Sequence, residues 1–189
     1  MEKREILSLL EEGGGITLGH FARNREWHAD LQVGKYLGFH NPEATEKLCA
    51  KLLKSFDGKS FDIIVVRSVA EDLILGYACG RALNLKVLAV FKDEGLVSLV
   101  PQYNIQAGSK ALVVANSFRT EDSLRATIAA LTSRCVELGG IAVLVDEGIG
   151  TWYAKAEVSR LVSLEDHIYR ADSCPLCLKD VPLRGGVLV

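Results

Sequence analysis

The chain has 189 residues, of which 49% are hydrophobic and 24% charged, and its formal net charge is −2. This balance excludes a disordered chain and gives no strongly basic face of the kind that binds nucleic acid. No apolar run approaches the ~20 residues that cross a bilayer, and no secretory signal follows the charged residues 1–5, so we expect a cytoplasmic protein without a membrane or nucleic-acid partner.

The first predicted elements flank a run of three glycines. Apolar residues recur with a helical period over 2–12, and Gly13-Gly14-Gly15 ends this helix. Two short strand-like segments follow at 16–21 and 28–33. A longer helix is predicted from Asn41 to about residue 56, because Asn41 is a good N-cap and Pro42 suits the first helical position.

Buried strands and helices then alternate. Short apolar runs are typical of strands buried on both faces, and the segments between them follow a helical period. The strands are predicted at 61–66, 86–91, 111–115, 141–146 and 160–163, the helices at 71–83 and 122–137, and an extended segment at 96–105. This alternation predicts an α/β fold with a central, mostly parallel sheet flanked by helices. Without a linker or low-complexity segment, we expect one domain over residues 1–189.

Two loops at the carboxyl edge of the predicted sheet are the candidate binding site, because ligands of parallel sheets bind there. They are residues 67–72 and 115–123. The segment 111–124 resembles the signature of the type I phosphoribosyltransferases: an apolar strand, two acidic residues, two apolar residues, Thr-Thr-Gly-Gly-Ser and then a helix. In that family the acidic pair contacts the ribose hydroxyls of phosphoribosyl pyrophosphate (PRPP), and the loop wraps its 5′-phosphate at a helix N-terminus. The equivalent residues here are Ala115, Asn116, Ser117, Phe118, Arg119, Thr120, Glu121, Asp122 and Ser123.

Further segments extend the resemblance to the orotate phosphoribosyltransferases. Gly19-His20-Phe21 and His28-Ala29-Asp30 resemble a region near the base, which makes His28 and Asp30 base-site candidates. The tail from Cys174 to Leu183 is similar to a Cys-Pro-Leu-Cys…Pro-Leu ending found in some orotate enzymes, and it is the most specific single match. The equivalents of the pyrophosphate loop are Arg67, Ser68, Val69, Ala70, Glu71 and Asp72, with Lys92 at the end of the next strand.

The resemblance implies a type I phosphoribosyltransferase fold and a homodimer. It also implies that residues 1–35 and 160–189 contribute a small hood and tail. His28 could equally be structural, and Lys92 could be a solvated strand end.

Both phosphate loops depart from the family pattern. Ala115 and Asn116 replace the acidic pair, and Glu121-Asp122 and Glu71-Asp72 replace the Gly-Gly of the two loops. A carboxylate ~4 Å from a phosphate charge costs about 4 kcal/mol at an effective dielectric constant of 20. The segment 93–101, equivalent to a flexible basic loop of the family, has no Lys, Arg or His to stabilise a leaving pyrophosphate.

The acidic residues of the two loops could replace the phosphate anions that the family binds there. Carboxylates near a helix N-terminus satisfy free N–H groups, so Glu71-Asp72 and Glu121-Asp122 could occupy the positions of bound phosphates. Arg67 and Arg119 are also unusual in these loops. We favour an internal arginine–carboxylate network over an arginine-based anion site.

Five cysteines in scattered positions indicate reduced thiols. Cys174 and Cys177 have the spacing of half a zinc site, but Zn²⁺ takes four ligands. A second pair from a symmetry partner, or His167, could add ligands. The alternative, which we favour, is a tight proline-containing turn with two buried thiols.

Two functions stay open. The first is a non-catalytic relative of orotate phosphoribosyltransferase, a binding, regulatory or assembly subunit with a protein partner or a nucleotide or nucleobase ligand and no cofactor. The second is an active enzyme that uses PRPP and Mg²⁺, supported by Thr120, Ser123, Lys92 and His28.

Overall fold

The computed structural model describes residues 3–34, 41–100, 102–118, 121–147 and 156–184. The helices are α1 (Lys3–Glu12), α2 (Pro42–Leu53), α3 (Ala70–Leu83) and α4 (Glu121–Thr132). The strands are β1 (Ile16–Ala22), β2 (Trp27–Val33), β3 (Ile63–Arg67), β4 (Lys86–Asp93), β5 (Leu96–Leu99), β6 (Lys110–Phe118), β7 (Glu137–Asp146), β8 (Glu157–Ser163) and β9 (Ile168–Arg170). Within the described ranges, no helix is both long and apolar enough to cross a membrane.

The main sheet has the strand order β5-β4-β3-β6-β7-β8. Its pairs are parallel except that β5 returns antiparallel to β4. Strands β3, β6 and β7 are almost wholly buried, because helices cover both faces of the sheet. The predicted α/β fold with a mostly parallel sheet is therefore confirmed.

Alternate residues of the central strands pack into two apolar cores on opposite faces of the sheet. Ile64 and Val66 face the core that α1, α2 and α3 complete. Their neighbours Ile63 and Val65 face the second core, which α4 completes. Each such side chain contributes about 1.5–3 kcal/mol when fully buried, so the two cores hold the strand ends, and the loops after them, in fixed positions.

A separate three-stranded sheet has the order β1-β2-β9. Residues distant in sequence form it, since Trp27 of β2 pairs with Arg170 of β9. The segment after β9 also returns to β1: the backbone N–H of Arg184 donates to the carbonyl oxygen of His20 at 2.7 Å. The small sheet thus joins residues 16–33 to residues 168–184.

Helix α2 begins as the sequence predicts. The Asn41 side-chain oxygen accepts hydrogen bonds from the backbone N–H groups of Glu43 and Ala44, and Pro42 is the first helical residue. These contacts satisfy two of the donors that a helix start leaves free.

Three predicted boundaries differ from the structure. Helix α4 ends at Thr132 rather than 137, because residues 133–135 form a turn in which Cys135 has a positive φ of 52°. Strand β6 continues to Phe118, so the second candidate loop is shorter than 115–123. Among the described residues of the extended segment predicted at 96–105, which leave out residue 101, only β5 is a strand.

Strand β7 also begins earlier than predicted and includes two glycines. A Cβ atom on Gly140 would lie 2.7 Å from the ring of Phe56, so the close approach of this ring requires glycine. The apolar pattern alone does not show this start, because glycine carries no side chain to count.

Candidate functional site

The loops that follow β3 and β6 meet at the carboxyl edge of the main sheet. Arg67 is the last residue of β3, and α3 begins three residues later. Strand β6 lies beside β3, so its last residues, Asn116 to Phe118, lie beside this helix start. The two predicted loops therefore form one site, as parallel strand order requires.

Arg67 connects the two loops. Its Nε donates to Asp72 Oδ2 at 2.6 Å and its Nη2 to Asp72 Oδ1 at 3.2 Å, which makes a bidentate ion pair. The same Nη2 donates to the carbonyl oxygen of Ser117 at 2.6 Å. The guanidinium carbon lies 4.7 Å from the centre of the Phe118 ring, and Nη1 lies 3.4 Å from the Ser123 hydroxyl. The N–H donors of the Arg67 guanidinium therefore point at Asp72, Ser117 and Ser123.

Asp72 is completely buried and is held from both loops. Besides Arg67, its Oδ1 accepts the backbone N–H of Asn116 at 2.8 Å. Burial raises the pKa of the Asp72 carboxyl, and the guanidinium of Arg67 and the Asn116 N–H lower it. The predicted arginine–carboxylate network is confirmed for Arg67 and Asp72.

The other acids lie differently. Asp122 is exposed in the first turn of α4, and Glu71 is partly buried in the first turn of α3. Arg119 and Thr120 lie outside the described residues, and of Glu121 only the backbone is described. A built-in carboxylate is therefore present at Asp72, where it accepts an N–H group of β6 rather than the free donors of its own helix.

The residues equivalent to the family's acidic pair are buried. Ala115 is fully enclosed in the second apolar core. Asn116 is 6% exposed, and its Oδ1 has no hydrogen-bond partner among the described residues. These two residues offer one amide oxygen and no carboxylate, so they do not fit Mg²⁺, which prefers carboxylate ligands.

The remaining pyrophosphate-loop equivalents have backbone roles or face outward. Ser68 donates its backbone N–H to the carbonyl oxygen of Val90 at 2.9 Å. Val69 is exposed and precedes α3, whose first residue is Ala70. Lys92 is exposed on β4.

The segment equivalent to the flexible basic loop is an edge hairpin. Lys92 pairs with Val97, and the chain turns at Glu94 and Gly95, whose φ angles are 43° and 87°. Leu96 is 71% exposed. Cross-strand hydrogen bonds hold this segment on the main sheet, and its exposed residues include Asp93 and Glu94 besides Leu96.

The two base-site candidates, Asp30 and His28, contact different groups. Asp30 accepts hydrogen bonds from His167 Nδ1 at 2.7 Å and from the Tyr169 hydroxyl at 2.9 Å. His28 instead faces the cysteines of the tail, with Nδ1 3.3 Å from Cys177 Sγ. A role for either residue in binding a base stays a prediction.

Four potential metal ligands come together on the small sheet: His20, His28, Cys174 and Cys177. The added ligands are histidines of β1 and β2, not His167, whose Nδ1 is engaged by Asp30. Cys177 is also exposed, so the expected turn with two buried thiols is wrong for one of them. Alternation along a single strand does not reveal that the two histidines share a face, because this depends on the register of the β1–β2 hairpin.

The chain is similar to curated enzymes over nearly its whole length. It is 29% identical over 185 residues to the orotate phosphoribosyltransferase of Thermoanaerobacter sp. (strain X514), which covers 97% of this chain and 96% of the relative. It is 26% identical over 182 residues to that of Desulforamulus reducens, with coverage of 96% and 95%. The chain is therefore similar in sequence to orotate phosphoribosyltransferases over nearly its whole length.

Solved structures share its fold. The orotate phosphoribosyltransferase of Aeropyrum pernix superposes with a TM-score of 0.68 at 17% identity, over 85% of this chain and 94% of that one. The adenine phosphoribosyltransferase of Rhodothermus marinus gives 0.65 at 18% identity, over 85% and 99%. The expected type I phosphoribosyltransferase fold is therefore confirmed. No protein-family model matches the chain.

At this edge of the sheet the chain carries an internal ion pair between Arg67 and Asp72, at a position where the orotate phosphoribosyltransferase pattern has glycine. Where the pattern has glycine, Asp72 brings a carboxylate that reaches the backbone of β6. Where it has two acids, Ala115 and Asn116 are enclosed. Arg67 and Asp72 therefore already satisfy each other's charge and hydrogen bonds.

Proposed function

We propose that this orotate phosphoribosyltransferase relative no longer transfers a phosphoribosyl group and acts as a binding, regulatory or assembly subunit. The contact of Asp72 with both Arg67 and the backbone N–H of Asn116 carries this proposal. It joins the two loops that, in the family pattern, separately hold pyrophosphate and 5′-phosphate.

Electrostatics support a closed site. A phosphate at this position would have to displace a fully buried carboxylate from a bidentate guanidinium partner. Otherwise it would share the site with that like charge, which costs about 4 kcal/mol at ~4 Å and an effective dielectric constant of 20. An Asp72 side chain also occupies space that glycine would leave for the backbone to approach a ligand.

The second candidate is an active phosphoribosyltransferase that converts orotate or another nucleobase and PRPP to a nucleoside 5′-monophosphate and pyrophosphate. The names of the full-length relatives favour this candidate over the first. It requires Asp72 and Arg67 to move apart when PRPP binds with Mg²⁺. Ser123, Lys92 and His28 would then be available to support PRPP binding. Thr120, which lies outside the described residues, belongs to the same set of candidates.

An assembly role has a surface to use. Large apolar side chains are exposed at the start of α3: Val69, Leu73 and Tyr77 follow at a spacing of four residues, and Ile74 lies next to Leu73, with Tyr77 68% exposed. Contiguous apolar patches of this kind mark protein contacts. The occupant that we propose is a second copy of this chain, in line with the homodimer that the family resemblance implies.

Calorimetric titration with PRPP and Mg²⁺, then with orotate and with orotidine monophosphate, tests the proposal. The Thermoanaerobacter relative under the same conditions is the positive control. We expect heat from the control and none from this chain, and no pyrophosphate release when PRPP and orotate are mixed with it. Micromolar PRPP binding together with pyrophosphate release would overturn the proposal in favour of the active enzyme.

A further inference from the structure

The side chains of His20, His28, Cys174 and Cys177 converge although they come from three separate parts of the chain. His20 lies on β1, His28 on β2, and the two cysteines in the segment after β9. Their potential ligand atoms all lie within 4.8 Å of one another. This convergence depends on the pairing of β1, β2 and β9, so the fold itself assembles the group.

Four of the six distances between these atoms are close to those of a tetrahedral site. His20 Nε2 lies 3.0 Å from His28 Nδ1, 3.5 Å from Cys174 Sγ and 3.6 Å from Cys177 Sγ, and His28 Nδ1 lies 3.3 Å from Cys177 Sγ. Zn–S bonds of about 2.3 Å and Zn–N bonds of about 2.0–2.1 Å, at tetrahedral angles, separate the ligand atoms by about 3.3–3.8 Å. The four separations are within a few tenths of an ångström of these values and all six are at most 4.8 Å, so the four atoms can close around one zinc ion.

A backbone contact sets the tautomer of His20. Its Nδ1 lies 2.8 Å from the carbonyl oxygen of Val181, and a carbonyl can only accept a hydrogen bond. Nδ1 is therefore the protonated nitrogen, and the lone pair of Nε2 points at the cysteines. Histidines that bind metals are held in this way, with the second nitrogen donating to a carbonyl or carboxylate.

Burial divides the group into an inner and an outer half. His20 is 2% exposed and Cys174 is 1% exposed, whereas Cys177 lies at the surface. An ion can therefore enter from the side of Cys177. Four protein ligands leave no open position for a water or substrate, which is the arrangement of structural rather than catalytic zinc sites.

We propose that His20, His28, Cys174 and Cys177 bind one structural Zn²⁺ ion. The ion cross-links the β1–β2 hairpin to the segment after β9 and fixes the small three-stranded sheet. It lies on a sheet separate from the one that carries Arg67 and Asp72, so the proposal does not depend on that ion pair.

The first measurement is the metal content of the wild-type chain, purified without a histidine tag and with reduced thiols. We expect about one zinc per chain by mass spectrometry of the metal. After removal of the zinc, titration with Co²⁺ should give thiolate-to-cobalt charge-transfer absorption and the intense visible bands of a tetrahedral site. A wild type with reduced thiols that binds neither Zn²⁺ nor Co²⁺ would overturn the proposal.

Two variants assign the ligands. C174S/C177S should lose both the zinc and the cobalt spectrum, whereas C135S, which changes an exposed cysteine outside the group, should keep them. A chelator should lower the melting temperature of the wild type and of C135S but not that of the double variant. Zinc retained in C174S/C177S, or a Cys174–Cys177 disulfide in the wild type isolated under reducing conditions, would contradict the assignment.

Discussion

Replacement of Arg67 by methionine should destabilise the chain in a strongly pH-dependent way. Methionine keeps an apolar side chain over Phe118 but leaves the fully buried Asp72 without its cation. Removing one partner of a buried pair costs about 3–5 kcal/mol. Because the pKa of Asp72 is already raised by burial and loses the lowering effect of Arg67, it should rise further in R67M.

Protonation of Asp72 sets an upper limit on the unfolding free energy that R67M can lose. Each pH unit above the ordinary aspartate pKa of about 3.9 adds about 1.4 kcal/mol to the cost of protonating the carboxyl. The largest cost is therefore about 4 kcal/mol at about pH 7 and roughly 1.5 kcal/mol at about pH 5. A folded pKa above the unfolded one means that stability falls as the pH rises from the unfolded toward the folded value, so R67M should be relatively more stable in acid.

Urea denaturation at the two pH values, followed by circular dichroism, measures this effect. The double variant R67M/D72N removes the stranded charge and should lose the extra pH dependence, and K92M, on an exposed lysine of β4, should change the free energy of unfolding by less than about 0.5 kcal/mol. A loss below about 1 kcal/mol for R67M at about pH 7, or the same loss at both pH values, would refute the argument.

Three further predictions concern the fold and the assembly. N41A should lower the free energy of unfolding by about 1 kcal/mol, because α2 loses the cap that accepts two N–H groups. N41S should recover most of this free energy. An N41A variant as stable as the wild type would contradict the role of the cap. G140A should cost about 1–3 kcal/mol because its methyl group would meet the Phe56 ring, and F56L should relieve part of that cost in the double variant, as urea titration can show. Y77E should convert a dimer to a monomer in light scattering without unfolding the chain; a wild-type monomer would refute the α3 interface.

Much of the fold follows from local patterns. The apolar runs of β3, β6 and β7 predict buried strands because all their side chains are enclosed, and Asn41-Pro42 predicts the start of α2 from hydrogen-bonding chemistry alone. The ends of helices and strands that lack such a chemical signal are harder to predict. The end of α4 depends on a positive φ at Cys135, a residue type that gives no signal for this conformation.

The two candidate sites differ in how many of their contacts could be predicted from the sequence. Arg67 ends β3 and Asp72 lies five residues later in the helix that follows, so their pairing could be predicted from position and charge. The hydrogen bond from Asn116 could not, because it depends on the lateral register of β3 and β6. The contribution of His20 to the cysteine group depends on a shift of register within the β1–β2 hairpin and on the return of the tail, both of which are tertiary.

The order in which the chain is synthesised gives the small sheet a late place in folding. The β1–β2 hairpin leaves the ribosome first, but an isolated hairpin is marginally stable in water. Its third strand follows about 140 residues later. At about 5–20 residues per second the hairpin waits roughly 10–30 s for that partner, while the central strands can already pair with one another. We therefore expect the region that holds His20 and His28 to become native late, after β9 and the segment that follows it have left the ribosome.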